Sequence, residues 1–195
     1  SITRGARSIF ESENYLFWTD DGGETWQMGD IIPRVGLNEA IAAELENGDL
    51  LINTRAYTNG QPDGRRAITR ASFDDRGGVQ YSETTRDETL IDPAVQATLL
   101  RLTWSDQAEH GGRSRLLFAN PAHPRARVNL TVRLSYDEGQ TWAYSRVIER
   151  GAAAYSDLVA LADGTLGLLY ERGNTGGLHF VRFTLEWLTD GEDRM

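Results

Sequence analysis

Two eight-residue stretches decide the fold: Thr19-Asp-Asp-Gly-Gly-Glu-Thr-Trp26 and Ser135-Tyr-Asp-Glu-Gly-Gln-Thr-Trp142. Both follow the pattern Ser/Thr-x-Asp-x-Gly-x-Thr-Trp, and each comes directly after a predicted strand. We expect the Asp to accept hydrogen bonds from its own turn, the Gly to adopt a positive φ, and the Trp to pack beneath. A third stretch, residues 72–77, is similar but lacks the Thr-Trp pair. The pattern therefore predicts structural hairpin turns repeated along the chain.

The spacing of these turns favours a β-propeller. Their central residues Asp21, Asp74 and Asp137 are 53 and 63 residues apart, which is about one four-stranded blade each. Short apolar segments bounded by Gly, Asp or Asn predict strands at 15–18, 49–54, 67–71, 98–103, 114–118, 128–134, 157–161, 165–170 and 178–185. Residues 38–45 fit a helix or a strand, and a strand is favoured. We therefore predict an all-β chain.

The composition excludes several functions. Twenty Arg against 29 Asp and Glu give a net charge of −9, whereas binding to nucleic acid or to an anionic membrane would favour a positively charged surface. The absence of Cys excludes disulfides, Cys-ligated zinc and a thiol nucleophile, and three scattered His residues predict no metal cluster. No apolar run could span a bilayer, and Ser1 to Arg7 lack the apolar core of a secretory signal. We expect no cofactor, and any anion would be bound by Arg, since Lys is absent.

Most of the chain resembles the second half of the exo-sialidase (neuraminidase) family, whose Asp-box or BNR repeats have the turn pattern above. The matching stretches are residues 38–55, 127–133, 154–158, 167–171 and, as the family's last strand, 183–188. The resemblance implies a six-bladed β-propeller. Three to four blades would come from this chain, with residues 1–195 as the C-terminal half of the domain. It also implies sialylated glycans as substrates, in a secreted or periplasmic setting.

The resemblance implies roles for five residues. Tyr155 matches the family's nucleophile, and Glu39 matches the acid that takes its proton. Arg55 and Arg127 match two of the three arginines that bind the sialic acid carboxylate, and Glu171 matches the acid that supports the third arginine. Taken singly, each could be an ordinary core tyrosine, paired arginine or strand-end carboxylate. Together, in this order and spacing, they favour a retaining exo-α-sialidase.

Two groups of the family pattern are not found in the sequence: the first arginine of the carboxylate site and the Asp general acid. Three explanations are open, and a fragment that lacks the N-terminal half is favoured over a second chain that supplies the other blades or two copies that close one ring. The alternative functions are a non-catalytic propeller that binds sialylated glycans or a protein, and a purely structural repeat protein. Gln96 is a further candidate for lining the pocket.

Overall fold

The computed structural model describes residues 11–173 and 175–195. Ser1 to Arg7, on which the expectation about a secretory signal depends, lie outside the described residues. The first eight strands are β1 (Tyr15–Trp18), β2 (Gln27–Ile31), β3 (Leu37–Glu44), β4 (Leu50–Thr58), β5 (Gln61–Pro62), β6 (Arg65–Phe73), β7 (Val79–Tyr81) and β8 (Thr85–Ile91). The next seven are β9 (Thr98–Thr103), β10 (Arg115–Pro121), β11 (Val128–Ser135), β12 (Tyr144–Ala152), β13 (Ser156–Ala160), β14 (Leu166–Glu171) and β15 (Leu178–Phe183). One 3-10 turn (Ala108–His110) and one short helix, α1 (Leu185–Leu188), complete the described elements.

These strands form four antiparallel sheets that follow one another along the chain. A hairpin of β1 and β2 precedes a sheet in the order β3-β4-β6-β7, to which β5 and β8 add at the sides. The following sheets have the orders β9-β10-β11-β12 and β13-β14-β15. The first strand β9 contacts both β3 and β13, the first strands of its neighbours. First strands side by side around a common axis are typical of propeller blades, and the all-β prediction is confirmed. The ambiguous stretch 38–45 is strand β3.

The apolar core lies between neighbouring sheets. Leu130, Val132 and Leu134 of β11 are fully buried and belong to one cluster with residues of β14 and α1. A second cluster joins Leu51 of β4 to Phe118 of β10. Alternation along β11 sends these side chains to one face of the sheet, as period-2 patterning requires. Each blade is therefore stabilised mainly by its neighbours.

The Asp-box turns have the predicted geometry. Asp21 accepts hydrogen bonds from the backbone N–H of Thr25 at 2.9 Å, and Asp137 accepts one from the backbone N–H of Thr141 at 2.8 Å. Gly139 has a φ of +73°, so it occupies the left-handed region expected of it. Hydrogen bonds from the threonines lower the pKa of Asp21 well below its usual range. The carboxylates of Asp21 and Asp137 therefore accept hydrogen bonds within their own turns.

The two Asp-box tryptophans differ, which corrects the expectation that both pack beneath their turns. Trp142 packs against Phe118 and donates its indole N–H to Asp87 at 3.0 Å. Trp26 is 59% exposed, although it contacts Phe17 and donates to its own turn. The reason is position: the second turn lies against the neighbouring blade, whereas the β1–β2 hairpin pairs with no further strand among the described residues.

The end of the predicted last strand is wrong. β15 stops at Phe183, and the next residues form α1. The Thr184 hydroxyl accepts the backbone N–H of Trp187 at 3.1 Å, which caps the helix. Leu185 and Leu188 are both buried, and their i, i+3 spacing places them on one helical face. The capping Thr and this apolar pair favour a helical turn over a longer strand.

A buried ion pair ties the C-terminal segment to β10. Asp193 accepts the Nε–H of Arg115 at 2.7 Å and its Nη2–H at 2.6 Å. The hydroxyl of Tyr136 donates to the same carboxylate at 2.6 Å. Arg115 is 1% exposed. The charge of each partner is therefore satisfied mainly by the other.

Candidate active site

The strand directions bring the predicted site residues to one face of the sheets. Glu39 lies near the start of β3, and Tyr155 and Arg127 lie immediately before β13 and β11. Arg55 lies near the end of β4, and Glu171 is the last residue of β14. Adjacent antiparallel strands run in opposite senses, so the starts of first and third strands share an edge with the ends of second strands. The topology thus gathers five residues that are far apart in sequence.

Three of these residues form one hydrogen-bonded group. The hydroxyl of Tyr155 donates to Oε1 of Glu39 across 116 residues of sequence. Arg55 donates from Nη1 to Oε2 of Glu39 at 2.9 Å, and the same nitrogen lies 3.5 Å from the Tyr155 hydroxyl. The side chains of Arg55 and Glu39 are 12% and 30% exposed. The group is therefore partly buried, and Glu39 is more accessible than Arg55.

The surroundings of Tyr155 favour its neutral phenol. Burial, the hydrogen bond to Glu39 and the negative charge of Glu39 raise its pKa above the ordinary value of about 10, and Arg55 and Arg127 oppose this. The two arginines lower the pKa of Tyr155, but their effect is smaller than that of burial and of the carboxylate. A nucleophilic Tyr155 would therefore have to lose its proton to a base during attack, and Glu39 is the base within hydrogen-bonding distance.

Arg127 differs from Arg55 in its surroundings. It is exposed, with its guanidinium carbon 5.7 Å from the centre of the Tyr155 ring. It has no ion pair with any side chain in residues 11–173 and 175–195. Its loop is held by His123, whose Nδ1 accepts the backbone N–H groups of Arg125 and Ala126 at 3.2 and 2.8 Å. An unpaired guanidinium beside the Tyr155 ring is suited to binding an anion.

Two side chains hold the backbone that carries Tyr155. Glu171 accepts the backbone N–H of Tyr155 at 3.3 Å, and Gln96 accepts that of Ser156 at 3.0 Å. Gln96, Tyr155 and Glu171 line a groove of about 410 Å³ together with Leu169 and other residues. Gln96 thus shares a groove with Tyr155 and Glu171, and its lining of the substrate pocket stays a prediction.

Two further residues, which no sequence motif indicated, lie near the group. Tyr57 is 5% exposed, and its hydroxyl accepts the Nε–H of Arg55 at 2.8 Å and also its Nη2–H. Arg66 is fully buried, pairs with Asp92 at 3.4 Å and donates to Asn53 at 2.6 Å. Alternation along the strands is the signal that could have indicated both residues. Tyr57 lies two residues after Arg55 on β4 and so shares its face, and Arg66 on β6 faces the opposite way from its neighbour Arg65.

The described residues contain neither a candidate metal-binding cluster nor a candidate membrane-spanning helix. No group of three or more His, Asp or Glu side chains could hold a metal ion within residues 11–173 and 175–195. No helix in these same ranges is long and apolar enough to cross a membrane.

Comparison with known proteins identifies the family. Residues 6–168 match the family model for the BNR repeat-like domain. The chain is 37% identical to a sialidase of Micromonospora viridifaciens over 88% of its length, and 26% identical to mouse Sialidase-2, also over 88%. Among solved structures, it superposes on the Hadza microbial sialidase Hz136 with a TM-score of 0.72 at 31% identity, covering 88% of this chain and 32% of that one.

The fold and the repeats define a BNR-repeat β-propeller. The chain belongs to the sialidase family, and the predicted sialidase propeller fold is confirmed. It spans only part of these relatives: 25% of the Micromonospora protein and 46% of mouse Sialidase-2.

Proposed function

We propose that the chain carries most of the active site of a retaining exo-α-sialidase, which removes terminal sialic acids from glycoconjugates. The observation that carries the proposal is the contact of Tyr155 with Glu39, bridged by Arg55. A phenol, a carboxylate and a guanidinium, from β3, β4 and the residue before β13, meet at one face of a fold whose family includes sialidases. Sialidases with a tyrosine nucleophile are a recognised exception to glycoside hydrolysis by two carboxylates.

The charge of the substrate explains why a phenol suits this chemistry. Sialic acid bears a carboxylate on its anomeric carbon, so a carboxylate nucleophile would meet a like charge a few ångströms away. Neutral Tyr155 avoids this repulsion in the ground state. Its raised pKa keeps it neutral until Glu39 accepts the proton. Glu39 thereby acts as general base for the attack.

The first step forms one bond and breaks another. The phenolic oxygen of Tyr155 bonds to the anomeric carbon, its proton passes to Glu39, and the glycosidic bond breaks. The departing oxygen takes a proton from a general acid, which we expect in blades outside this chain. In the second step water attacks the same carbon and gives a proton to the conjugate base of that general acid, while the bond to the Tyr155 oxygen breaks and the phenol regains its proton from Glu39. Two displacements give retention of configuration.

Two arginines are placed to hold the sialic acid carboxylate. Arg55 is fixed by Glu39, and Arg127 lies over the Tyr155 ring without an ion pair among the described residues. Burial lowers the pKa of Arg55, but the contacts with Glu39 and Tyr57 raise it by more, so the guanidinium stays charged. We propose Arg127→Ala as a variant that weakens sialoside binding by about 2–5 kcal/mol.

Further blades are part of this proposal. Leu178 and Phe180 on β15 are 69% and 54% exposed, and Phe17 and Met28 on the β1–β2 hairpin are 61% and 71% exposed. Exposed apolar residues at both ends of the row of sheets are suited to packing against more sheets. We propose that residues 1–195 are the C-terminal half of a six-bladed domain. An N-terminal half or a second chain would supply the remaining blades, with the third arginine, which Glu171 supports, and the general acid.

The experiment is release of fluorophore from a 4-methylumbelliferyl α-sialoside, by the chain alone and after addition of an N-terminal half from a relative. Tyr155→Phe is the test variant, and Tyr144→Phe, on an outer strand, is the control. Turnover that Tyr155→Phe abolishes and Tyr144→Phe leaves intact supports the proposal. Turnover that survives in Tyr155→Phe refutes the nucleophile. Sialoside binding without turnover in either preparation favours the non-catalytic binding module.

A further inference from the structure

Arg55 donates hydrogen bonds to Glu39 and also to Tyr57, although Glu39 alone would serve as the counter-ion for its charge. A guanidinium carries five N–H groups. The Nε–H and one Nη2–H point to the hydroxyl of Tyr57, and Nη1 donates to Glu39. The contact of Nη1 with the Tyr155 hydroxyl is long, at 3.5 Å. One N–H on Nη1 therefore has only this long contact, and one on Nη2 has no acceptor among the described residues.

We propose that Tyr57 is a positioning residue, which fixes Arg55 through the side edge of its guanidinium and so directs the end of the group toward the substrate carboxylate. This inference rests on the proposed function for its ligand. Arg55 and Tyr57 are two apart on β4, so their side chains leave the same face of the strand. Ala56 between them points into the core, which fixes the register of the pair.

The chemistry of a phenol fits this role. A carboxylate in place of Tyr57 would hold the guanidinium equally well but would neutralise its charge. A neutral hydroxyl accepts both N–H groups and leaves the positive charge for an incoming anion. Glu39 already supplies one negative charge to Arg55. A second one would make the site unattractive to a carboxylate, so the neutral acceptor preserves anion binding.

The first test needs no ligand. Exchange of the Arg55 Nε–H with solvent is followed by 15N NMR, with the signal assigned by its loss in Arg55→Lys. Tyr57→Phe should speed this exchange about 10- to 100-fold, the range for one hydrogen bond to a charged group. The matched control is Tyr136→Phe, which also removes a hydrogen-bonded hydroxyl, the one that donates to Asp193. Unchanged exchange in Tyr57→Phe would overturn the inference.

The wild-type protein decides the question if Tyr57→Phe fails to fold. The Nε–H of Arg55 should then exchange at least tenfold more slowly than those of exposed arginines in the same spectrum. Exchange at their rate would show that nothing holds the guanidinium, and the inference would be wrong.

The second test asks whether Tyr57 acts through Arg55. Affinity for N-acetylneuraminic acid is measured for the wild type, Tyr57→Phe, Arg55→Lys and the double variant. We expect Tyr57→Phe to weaken binding about 10- to 100-fold alone and less than twofold when Arg55 is already Lys. Equal losses in both backgrounds would overturn the inference. A wild type that does not bind sialic acid contradicts the proposed function, and the exchange measurement still decides the role of Tyr57.

Discussion

Replacing Asp193 by Asn should destabilise the protein more than any other single carboxylate change in the C-terminal segment. The substitution keeps the shape of the side chain but removes its negative charge. Arg115 then stays in the interior, 1% exposed, without a counter-ion. In the variant, the guanidinium of Arg115 also meets the amide NH2 group of the asparagine at one of the two positions where, in the wild type, it donates to a carboxylate oxygen.

The size of the effect follows from the burial of the pair. Removing one partner of a buried ion pair costs about 3–5 kcal/mol, because the remaining charge loses its compensation. In a chain of this size each kcal/mol lowers the midpoint of thermal unfolding by about 2–4 °C. We therefore expect Asp193→Asn to unfold about 6–20 °C below the wild type.

The lowered pKa of Asp193 determines how the stability difference between wild type and variant changes with pH. Burial raises the pKa of Asp193, but hydrogen bonds from Arg115 and Tyr136 lower it by more, so the folded-state pKa lies below the usual value. A lowered pKa contributes stability above the unfolded-state pKa of about 4 and loses it as the pH falls through the folded value. The difference between wild type and variant should be full at pH 7 and shrink below about pH 4.

Thermal and urea unfolding followed by circular dichroism measure this difference. Asp190→Asn is the matched control, three residues earlier, because Asp190 pairs with Arg146 while 78% exposed. Exposed pairs contribute about 0–1 kcal/mol, so this control should unfold close to the wild type. If Asp193→Asn stays within 1 kcal/mol of the wild type at pH 7, the pair does not stabilise the fold as argued.

Two further predictions concern the second turn and the site. Gly139→Ala should lower the free energy of unfolding in urea by about 1–3 kcal/mol, since its φ is +73° and a Cβ there would lie 2.7 Å from Leu51. The control is Gly22→Ala, which has the same φ of +73° but open space around it and should lower the free energy of unfolding by about 1 kcal/mol. Equal costs would contradict the steric argument. Glu39→Gln should lower the pKa of Tyr155, because the carboxylate raises it, and ultraviolet difference titration against Tyr155→Phe measures the change. An unchanged or raised pKa would refute the contact.

Much of the fold could be predicted from sequence because its strands are short, apolar and bounded by turn residues. The segment 98–103 is β9 as predicted, and 15–18 is β1. Strand β12 was not predicted, since its alternation of Arg, Glu and small residues gives a weak apolar pattern on an outer, largely exposed strand. The predicted last strand extended two residues beyond β15, because the apolar residue that follows Thr184 fits a helix as well as a sheet.

The candidate site was predictable where the family pattern is local and not where it depends on the fold. Tyr155, Glu39 and Arg55 were identified by motif, and the structure brings them together. Tyr57 belongs to no sequence motif, and its contact with Arg55 follows only from the fact that both side chains lie on the same face of β4. Arg66 likewise belongs to no motif, and its burial follows only from the face of β6 on which it lies. Since neighbours in a strand face opposite ways, Arg66 is fully buried and Arg65 is partly exposed.

The contact between Tyr155 and Glu39 also sets when the site can form during folding. Each sheet is a meander whose strands pair with near neighbours in sequence, and such local pairings close small loops. The Tyr155–Glu39 contact spans 116 residues and requires three successive sheets to be docked. Its loop-closure entropy makes it a late event, after the hairpins have formed. Folding intermediates with complete blades would therefore lack the assembled Tyr155–Glu39 group, and recovery of the Tyr155 environment during refolding would report the final docking of the sheets.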